Sequence, residues 1–197
     1  MVNIGLTGGI GSGKTLISKV FKLVRVPIYY SDMEAKLLYY QPEVKSQVID
    51  LLGHNAYIGN TINKQYISNL IFNDKDLLQK INAIFHPQVR LHYAKWVKNQ
   101  TSNIVIQETA LLFESKLQDK FDKTILVTAP EEVRLQRAMQ RDNATESQIK
   151  DRMENQLPDE QKITLADYVI INDGMSKVLP QVISLYRELQ SVNRSME

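Results

Sequence analysis

Residues Gly8-Gly9-Ile10-Gly11-Ser12-Gly13-Lys14-Thr15 fit the pattern G-x-x-x-x-G-K-[ST] and limit what this chain can become. Before them, Val2-Asn3-Ile4-Gly5-Leu6 reads as a short buried strand. After them, Leu16-Ile17-Ser18-Lys19-Val20-Phe21 continues as a helix. Strand, glycine loop and helix in this order make a phosphate-binding loop. The glycines let the backbone wrap an anion with its N–H groups pointing inward. The new helix aims its positive end at the same anion. Lys14 can reach the outer phosphates of a nucleotide, and the Thr15 hydroxyl can hold Mg²⁺. No G-x-G-x-x-G can be drawn through these glycines, so a dinucleotide fingerprint is excluded.

Further apolar runs at Pro27–Tyr30, Ile104–Gln107, Thr124–Thr128 and Tyr168–Ile171 read as strands, with helical stretches between most of them. That alternation predicts an α/β fold, a doubly wound parallel five-stranded sheet with helices on both faces. Ligands of such sheets gather at the carboxyl ends of the strands. There the sequence places the glycine loop, Ser31-Asp32, Glu108-Thr109, Ala129-Pro130 and Asn172-Asp173-Gly174. The strands are unevenly spaced. Val44, Val48, Leu51 and Leu52, then Ile67, Leu70 and Ile71, then Leu77, Leu78, Ile81 and Ile84 fall at helical spacing. This is too much for one crossover, and it predicts an inserted helical subdomain broken by the polar stretch from Gly53 to Asn63. The charged stretch from Glu131 to Lys162 is a second candidate insertion. Val178, Val182, Leu185 and Leu189 form one face of a closing helix.

The 197 residues suffice for one globular domain with a sizeable core. A net charge of +2 offers no global field for nucleic acid, and the absence of cysteine excludes disulfides and thiolate metal sites. A first strand at Val2 leaves no room for a signal peptide, and no apolar run approaches the roughly 20 residues of a membrane span. The expectation is a cytoplasmic protein.

The class of chemistry must come from outside the loop. Asn63-Lys64-Gln65-Tyr66 lacks the Asp of a guanine-reading N-K-x-D, and Asp50-Leu51-Leu52-Gly53 sits in an amphipathic helix, so a switch GTPase is disfavoured. Asp32 follows the second strand, where a carboxylate can accept the proton of a substrate hydroxyl during phosphoryl transfer. It can equally cap a helix starting near Met33. Arg134, Arg137 and Arg141 share one face of a helix. They read either as a phosphate clamp or as a solvated basic face. Arg152 extends the basic set, and Asp142-Asn143-Ala144-Thr145 would break the helix at the tip of a moving lid. Pro87 disfavours helix at His86 and suits a helix start, where His86 and Arg90 can grip an anion or simply pack. His54 and His92 read as surface or packing residues. A carboxylate in Glu108-Thr109-Ala110-Leu111-Leu112-Phe113-Glu114 can order magnesium waters or a substrate group, while Leu-Leu-Phe reads as core.

Taken together, the chain resembles the dephospho-coenzyme A kinases, a branch of the P-loop nucleotide kinases. The residues that carry the likeness are Gly5 to Lys14; Val26-Pro27 leading to Asp32, Ala35 and Lys36; His86-Pro87-Gln88-Val89-Arg90; Leu111-Leu112-Phe113-Glu114; Arg137 to Arg141-Asp142; and Ala166-Asp167-Tyr168-Val169-Ile170 with Asn172 and Gly174. The resemblance implies one P-loop kinase domain over residues 1–197, with a coenzyme-A-side helical subdomain at about 33–99 and a lid at about 137–160. It implies transfer of the γ-phosphoryl group of ATP, with Mg²⁺, to the 3′-hydroxyl of dephospho-coenzyme A, the last step of coenzyme A synthesis. Lys14, Asp32, Arg137 and Arg141 would be catalytic. Gly8 to Thr15, Arg141 and Asn172 would bind the nucleotide, with Thr15 on the metal. Asp32, Lys36, His86, Arg90, Phe113 and Glu114 would face the acceptor. No nucleic-acid or membrane partner is implied, and a monomer is expected. The family's Asp-Ala-Asp appears here as Tyr30-Ser31-Asp32, and its Pro-Leu-Leu-Phe-Glu as Ala110-Leu111-Leu112-Phe113-Glu114. Two rival readings are a kinase for another nucleotide-like or small hydroxylated acceptor, and a non-catalytic ATP-binding switch. The latter has no use for an acceptor base.

Overall fold

The computed structural model describes residues 1–72 and 74–195. In chain order the elements are β1 (Val2–Gly8), α1 (Lys14–Leu23), β2 (Ile28–Tyr30), α2 (Ser31–Leu38), α3 (Pro42–Leu52), β3 (Tyr57–Ile58), β4 (Thr61–Ile62), α4 (Lys64–Phe72) and α5 (Lys75–Lys98). They continue with β5 (Ile104–Glu108), β6 (Lys123–Thr128), α6 (Glu131–Asp142), α7 (Glu146–Glu154), α8 (Asp159–Leu165), β7 (Tyr168–Ile171) and α9 (Val178–Ser195). The chain divides into two compact units, Met1–Tyr30 with Gln100 onward, and Ser31–Asn99.

The first unit is built on a parallel sheet in the order β2-β5-β1-β6-β7. Strands covered on both faces read as continuous apolar runs, as β5 and β6 do here. The two faces still part by alternation. Val2, Ile4 and Leu6 of β1, Ile104 and Ile106 of β5, and Ile125 and Val127 of β6 pack with Ile17 and Phe21 of α1 and Val182, Leu185 and Leu189 of α9. Burying each of these side chains contributes about 1.5–3 kcal/mol. Gly5 points the other way, where a side chain would collide with Leu112. The sheet edge is tied by Asp167, whose Oδ2 accepts from both N and Oγ1 of Thr124 at 2.8 Å. Burial would raise this carboxyl, but the Thr124 bonds and Lys123 outweigh it and hold it below the usual carboxylate range. The expected strands are all present within two residues at each end.

The second unit packs Leu38 of α2, Val44, Val48 and Leu52 of α3, Ile67 of α4 and Ile81 and Phe85 of α5 into a separate core. Pro42 opens α3, where its missing N–H costs nothing, and Gly53 closes it with φ +82°. The polar stretch after Gly53 is not all loop: β3 and β4 form a small antiparallel hairpin. Tyr57 there donates its hydroxyl to the Tyr39 carbonyl at 2.7 Å. Burial and the neighbouring Tyr39 and Tyr40 push the Tyr57 phenol up to about 12.

Two local expectations fail here. The helix after β2 starts at Ser31, so Asp32 lies within its first turn and not ahead of it. Pro87 does not start a helix. It lies inside α5, a 24-residue helix whose N-terminus is capped instead by Asp74, accepting from Leu77 N at 2.8 Å. A proline ring removes one helical hydrogen bond and crowds the preceding turn. The helix persists because Ile81 and Phe85, just before it, are anchored in the core. Pro87→Ala therefore restores a helical bond and should raise stability by about 1–3 kcal/mol, read as a higher urea midpoint. A lower midpoint would mean that packing of the ring outweighs the lost bond.

Candidate active site

The phosphate loop is shaped by contacts at two glycines. Gly11 has φ +76°, and a side chain on it would run into the backbone of Arg134. Gly13 has φ +96° and caps α1, and a side chain there would strike the Asn172 amide. A left-handed φ and a blocked Cβ together leave only glycine. The turn is closed by Ser12 N donating to Gly9 O at 3.1 Å. Asn172, buried just past β7, donates Nδ2 to Ser12 O at 2.7 Å and so fastens the loop to the far strand.

Around this turn the charges favour an anion. The first turn of α1 carries no acidic residue. Lys14 Nζ donates to Gly8 O at 2.7 Å, folded back along the loop it serves. Ser12 Oγ is buried without a hydrogen-bond partner. Thr15 is exposed in the first helical turn, with its hydroxyl open to a ligand.

The three arginines of α6 do not act alike. Arg134 is buried, donates Nε to Ala129 O at 3.0 Å and lies 3.7 Å from Asp159 Oδ2. Its burial overturns the solvated-face reading, and its guanidinium lies beside Gly9 of the phosphate loop. Arg137 donates Nη1 to Asn172 O at 2.7 Å. Arg141 is exposed, and its Nε and Nη2 grip the two oxygens of Asp142 at 2.8 and 3.0 Å. Arg152 adds a third bond to Asp142 at 2.9 Å. The Arg141 hydrogen bond holds the Asp142 carboxyl low, and Asp142 in turn raises the Arg141 guanidinium. The break expected at Asp142 to Thr145 is present. Asn143 turns left-handed at φ +48°, and Thr145 opens α7 with a capping box to Gln148.

Behind the loop lies a buried ionic set that the sequence reading missed. Lys162, 1% exposed, sits 3.3 Å from Glu114 Oε1 and 3.9 Å from Asp159 Oδ1. Glu114 Oε1 also accepts from Leu157 N at 3.0 Å. Asp159 Oδ2 accepts from Thr128 Oγ1 at 2.6 Å. Lys162 and Asp159 were hidden in a stretch that reads as generic surface charge. No periodicity marks their partner at Glu114. Phe113 is buried, and Glu114 engages Lys162 and Leu157 N through Oε1 while its Oε2 is buried without a hydrogen-bond partner. A cavity of about 690 Å³ opens between the ends of β6 and β7 and the 153–163 segment, lined by Thr128, Arg134, Leu157, Asp159 and Asp173 among others.

In the second unit, Asp32 and Lys36 stand one turn apart and exposed on α2. His86 and Arg90 stand one turn apart on α5, in mid-helix and so away from any helix-end dipole. Partial burial, then the Arg90 charge, lowers the His86 imidazole. His92 Nδ1 lies 3.5 Å from Glu34 Oε2 and links α5 to α2, a packing role.

The chain is similar to known proteins along most of its length. A family profile described as dephospho-CoA kinase matches residues 2–177. A dephospho-CoA kinase of Bacteroides fragilis is 37% identical over 186 residues, covering 93% of this chain and 91% of that protein. One from Porphyromonas gingivalis is 33% identical over 194 residues, covering 97% and 96%. Among solved structures, a Thermus thermophilus protein superposes with a TM-score of 0.87 at 26% identity, covering 95% of this chain and 96% of that one. A dephospho-CoA kinase from Campylobacter jejuni shares the fold with a TM-score of 0.69 at 21% identity, covering 97% and 98%. With the profile matching residues 2–177 and relatives 33% and 37% identical over most of both chains, this chain belongs to the dephospho-CoA kinase family.

Proposed function

We propose that this chain transfers the γ-phosphoryl group of ATP to the 3′-hydroxyl of dephospho-coenzyme A, giving coenzyme A and ADP. The observation that carries the reading is the family match over residues 2–177, which takes in the phosphate loop, Asp32 and Asn172. Loop amides of Gly8 to Thr15 hold the donor phosphates. Lys14 leaves the Gly8 carbonyl for the outer phosphates, exchanging one hydrogen bond for a charge-assisted one. Arg141, exposed and held only by carboxylate contacts at its own helix end, is the lid arginine free to swing onto the transferring group; Arg137 orders the Asn172 loop beside the nucleotide. Asp32 takes the acceptor proton. Lys36, His86 and Arg90 bind the anionic acceptor, and Phe113 and Glu114 belong to the same acceptor-facing set.

Among the described residues no group of three or more His, Asp or Glu side chains forms a metal cage. Mg²⁺ keeps most of its waters and commonly binds one or two protein oxygens plus substrate phosphates, which suits the exposed Thr15 hydroxyl. When bound, the ion withdraws charge from the β- and γ-phosphates. No helix among the described residues is long and apolar enough to cross a membrane. A cytoplasmic monomer without a nucleic-acid partner completes the proposal.

Asp32→Asn should keep ATP affinity while lowering turnover by roughly 10²–10⁴-fold. Turnover near wild type would remove Asp32 from the chemistry. His86 supplies a test through pH. Its folded imidazole titrates below the usual 6.5, so protons bind the unfolded chain more readily. Its contribution to stability is present above 6.5 and is lost as pH falls towards the lowered folded value. His86→Gln should flatten the pH dependence of the urea midpoint in that window. An unchanged slope would mean that the ring is not covered in solution.

A further inference from the structure

Gln156 joins the loop after β1 to the loop after β5 through a single side chain. Its Oε1 accepts from Ile10 N at 2.9 Å, inside the phosphate loop. Its Nε2 donates to Ala110 O at 3.3 Å, three residues before Phe113. A carboxamide carries a donor and an acceptor on one short planar group, so it can serve an N–H on one side and a C=O on the other. Neither a carboxylate nor an aliphatic side chain can do both.

The backbone that presents Gln156 is itself pinned. Leu157 N donates to Glu114 Oε1 at 3.0 Å, and Lys162 reaches the same oxygen at 3.3 Å. Asp159 is held by Thr128 and lies against Arg134. Arg134 in turn stands where a side chain on Gly9 would have to go. Two acids and two bases, all nearly buried, thus fix residues 157–162 to the sheet and leave Gln156 leaning on the loop.

We propose that Gln156 is a positioning residue for phosphoryl transfer: it fixes the Ile10 amide and so sets the phosphate loop in register with the loop at Ala110 that leads to Phe113 and Glu114. This rests on the kinase reading of the site. A phosphate loop works only if its amides are pre-aimed, because reorganisation during the reaction forfeits their electrostatic effect. A shift of about 1 Å in such a loop can cost roughly 10²-fold in rate.

The charged members of the set are poor test sites, since removing one strands a buried partner. Gln156 is neutral, and Gln156→Met keeps its length and volume while deleting both bonds. In the full-length protein, amide exchange at Ile10 and steady-state kinetics are measured together. The expected result is faster Ile10 exchange, a kcat/KM for ATP lower by roughly 10- to 100-fold, a raised KM for dephospho-coenzyme A, and a melting temperature close to wild type. Unchanged Ile10 exchange, or faster exchange with wild-type kinetics, would overturn the proposal. The exchange readout needs no turnover, so it separates failure of the clasp from failure of the kinase reading. Should the Met variant not fold, Gln156→Glu keeps an acceptor for Ile10 and gives up the donor to Ala110. Lowered kcat/KM with Ile10 still protected supports the coupling, and wild-type kinetics overturns it.

Discussion

The backbone turn from Gly9 to Gly13 has almost no room around it, and the carboxyl edge of the sheet is arranged to keep it so. Asn172 fastens it from beyond β7, the backbone of Arg134 fills the space where a Gly11 side chain would stand, and Gln156 holds Ile10. Contacts from three separate chain segments over-determine a conformation that an isolated glycine-rich peptide would not keep, given glycine's large backbone entropy. The gain is a set of amides aimed before the nucleotide arrives, and this pre-aiming is what makes a backbone nest effective.

The same need explains an apparent extravagance. Glu114, Lys162, Asp159 and Arg134 are four ionisable groups nearly out of water. Burying such a set gains little net stability over apolar residues, whereas breaking one member costs about 3–5 kcal/mol. What it supplies is placement. The set fixes the point where the 156–162 segment meets the sheet, and α6 and α7 project from there. Towards the tip the contacts are exposed ones, such as Arg141 and Arg152 on Asp142, which screening makes weak and easily exchanged. The contacts thus grade from nearly buried struts at Arg134, Asp159 and Lys162 to exposed pairs at Asp142.

Most of the first unit was legible in the sequence. Val2–Leu6, the glycine loop and the apolar runs near Ile104, Thr124 and Tyr168 are continuous and bounded by turn residues, so period and punctuation agreed. Local rules failed where tertiary packing overrode them. Pro87 reads as a helix start, but the core anchoring of Ile81 and Phe85 carries α5 through it. The β3–β4 hairpin is only two residues per strand, too short to leave an alternation in a polar stretch. For the site, the loop and Asn172 were readable from motif. Gln156 and Lys162 were not, because a partly buried carboxamide or a buried charge is defined by partners dozens of residues away. The even spacing of Arg134, Arg137 and Arg141 concealed three environments: one buried against Asp159, one bonded to the Asn172 carbonyl and one exposed on Asp142.

The central claim is tested most directly by a mass-resolved transfer reaction. Purified protein is mixed with Mg·ATP and dephospho-coenzyme A, with AMP, adenosine and shikimate as parallel acceptors. The account predicts coenzyme A carrying the new phosphate on its 3′-oxygen, with the other acceptors unchanged. Transfer to one of those acceptors in place of dephospho-coenzyme A, or ATP bound with no transfer at all, would contradict it.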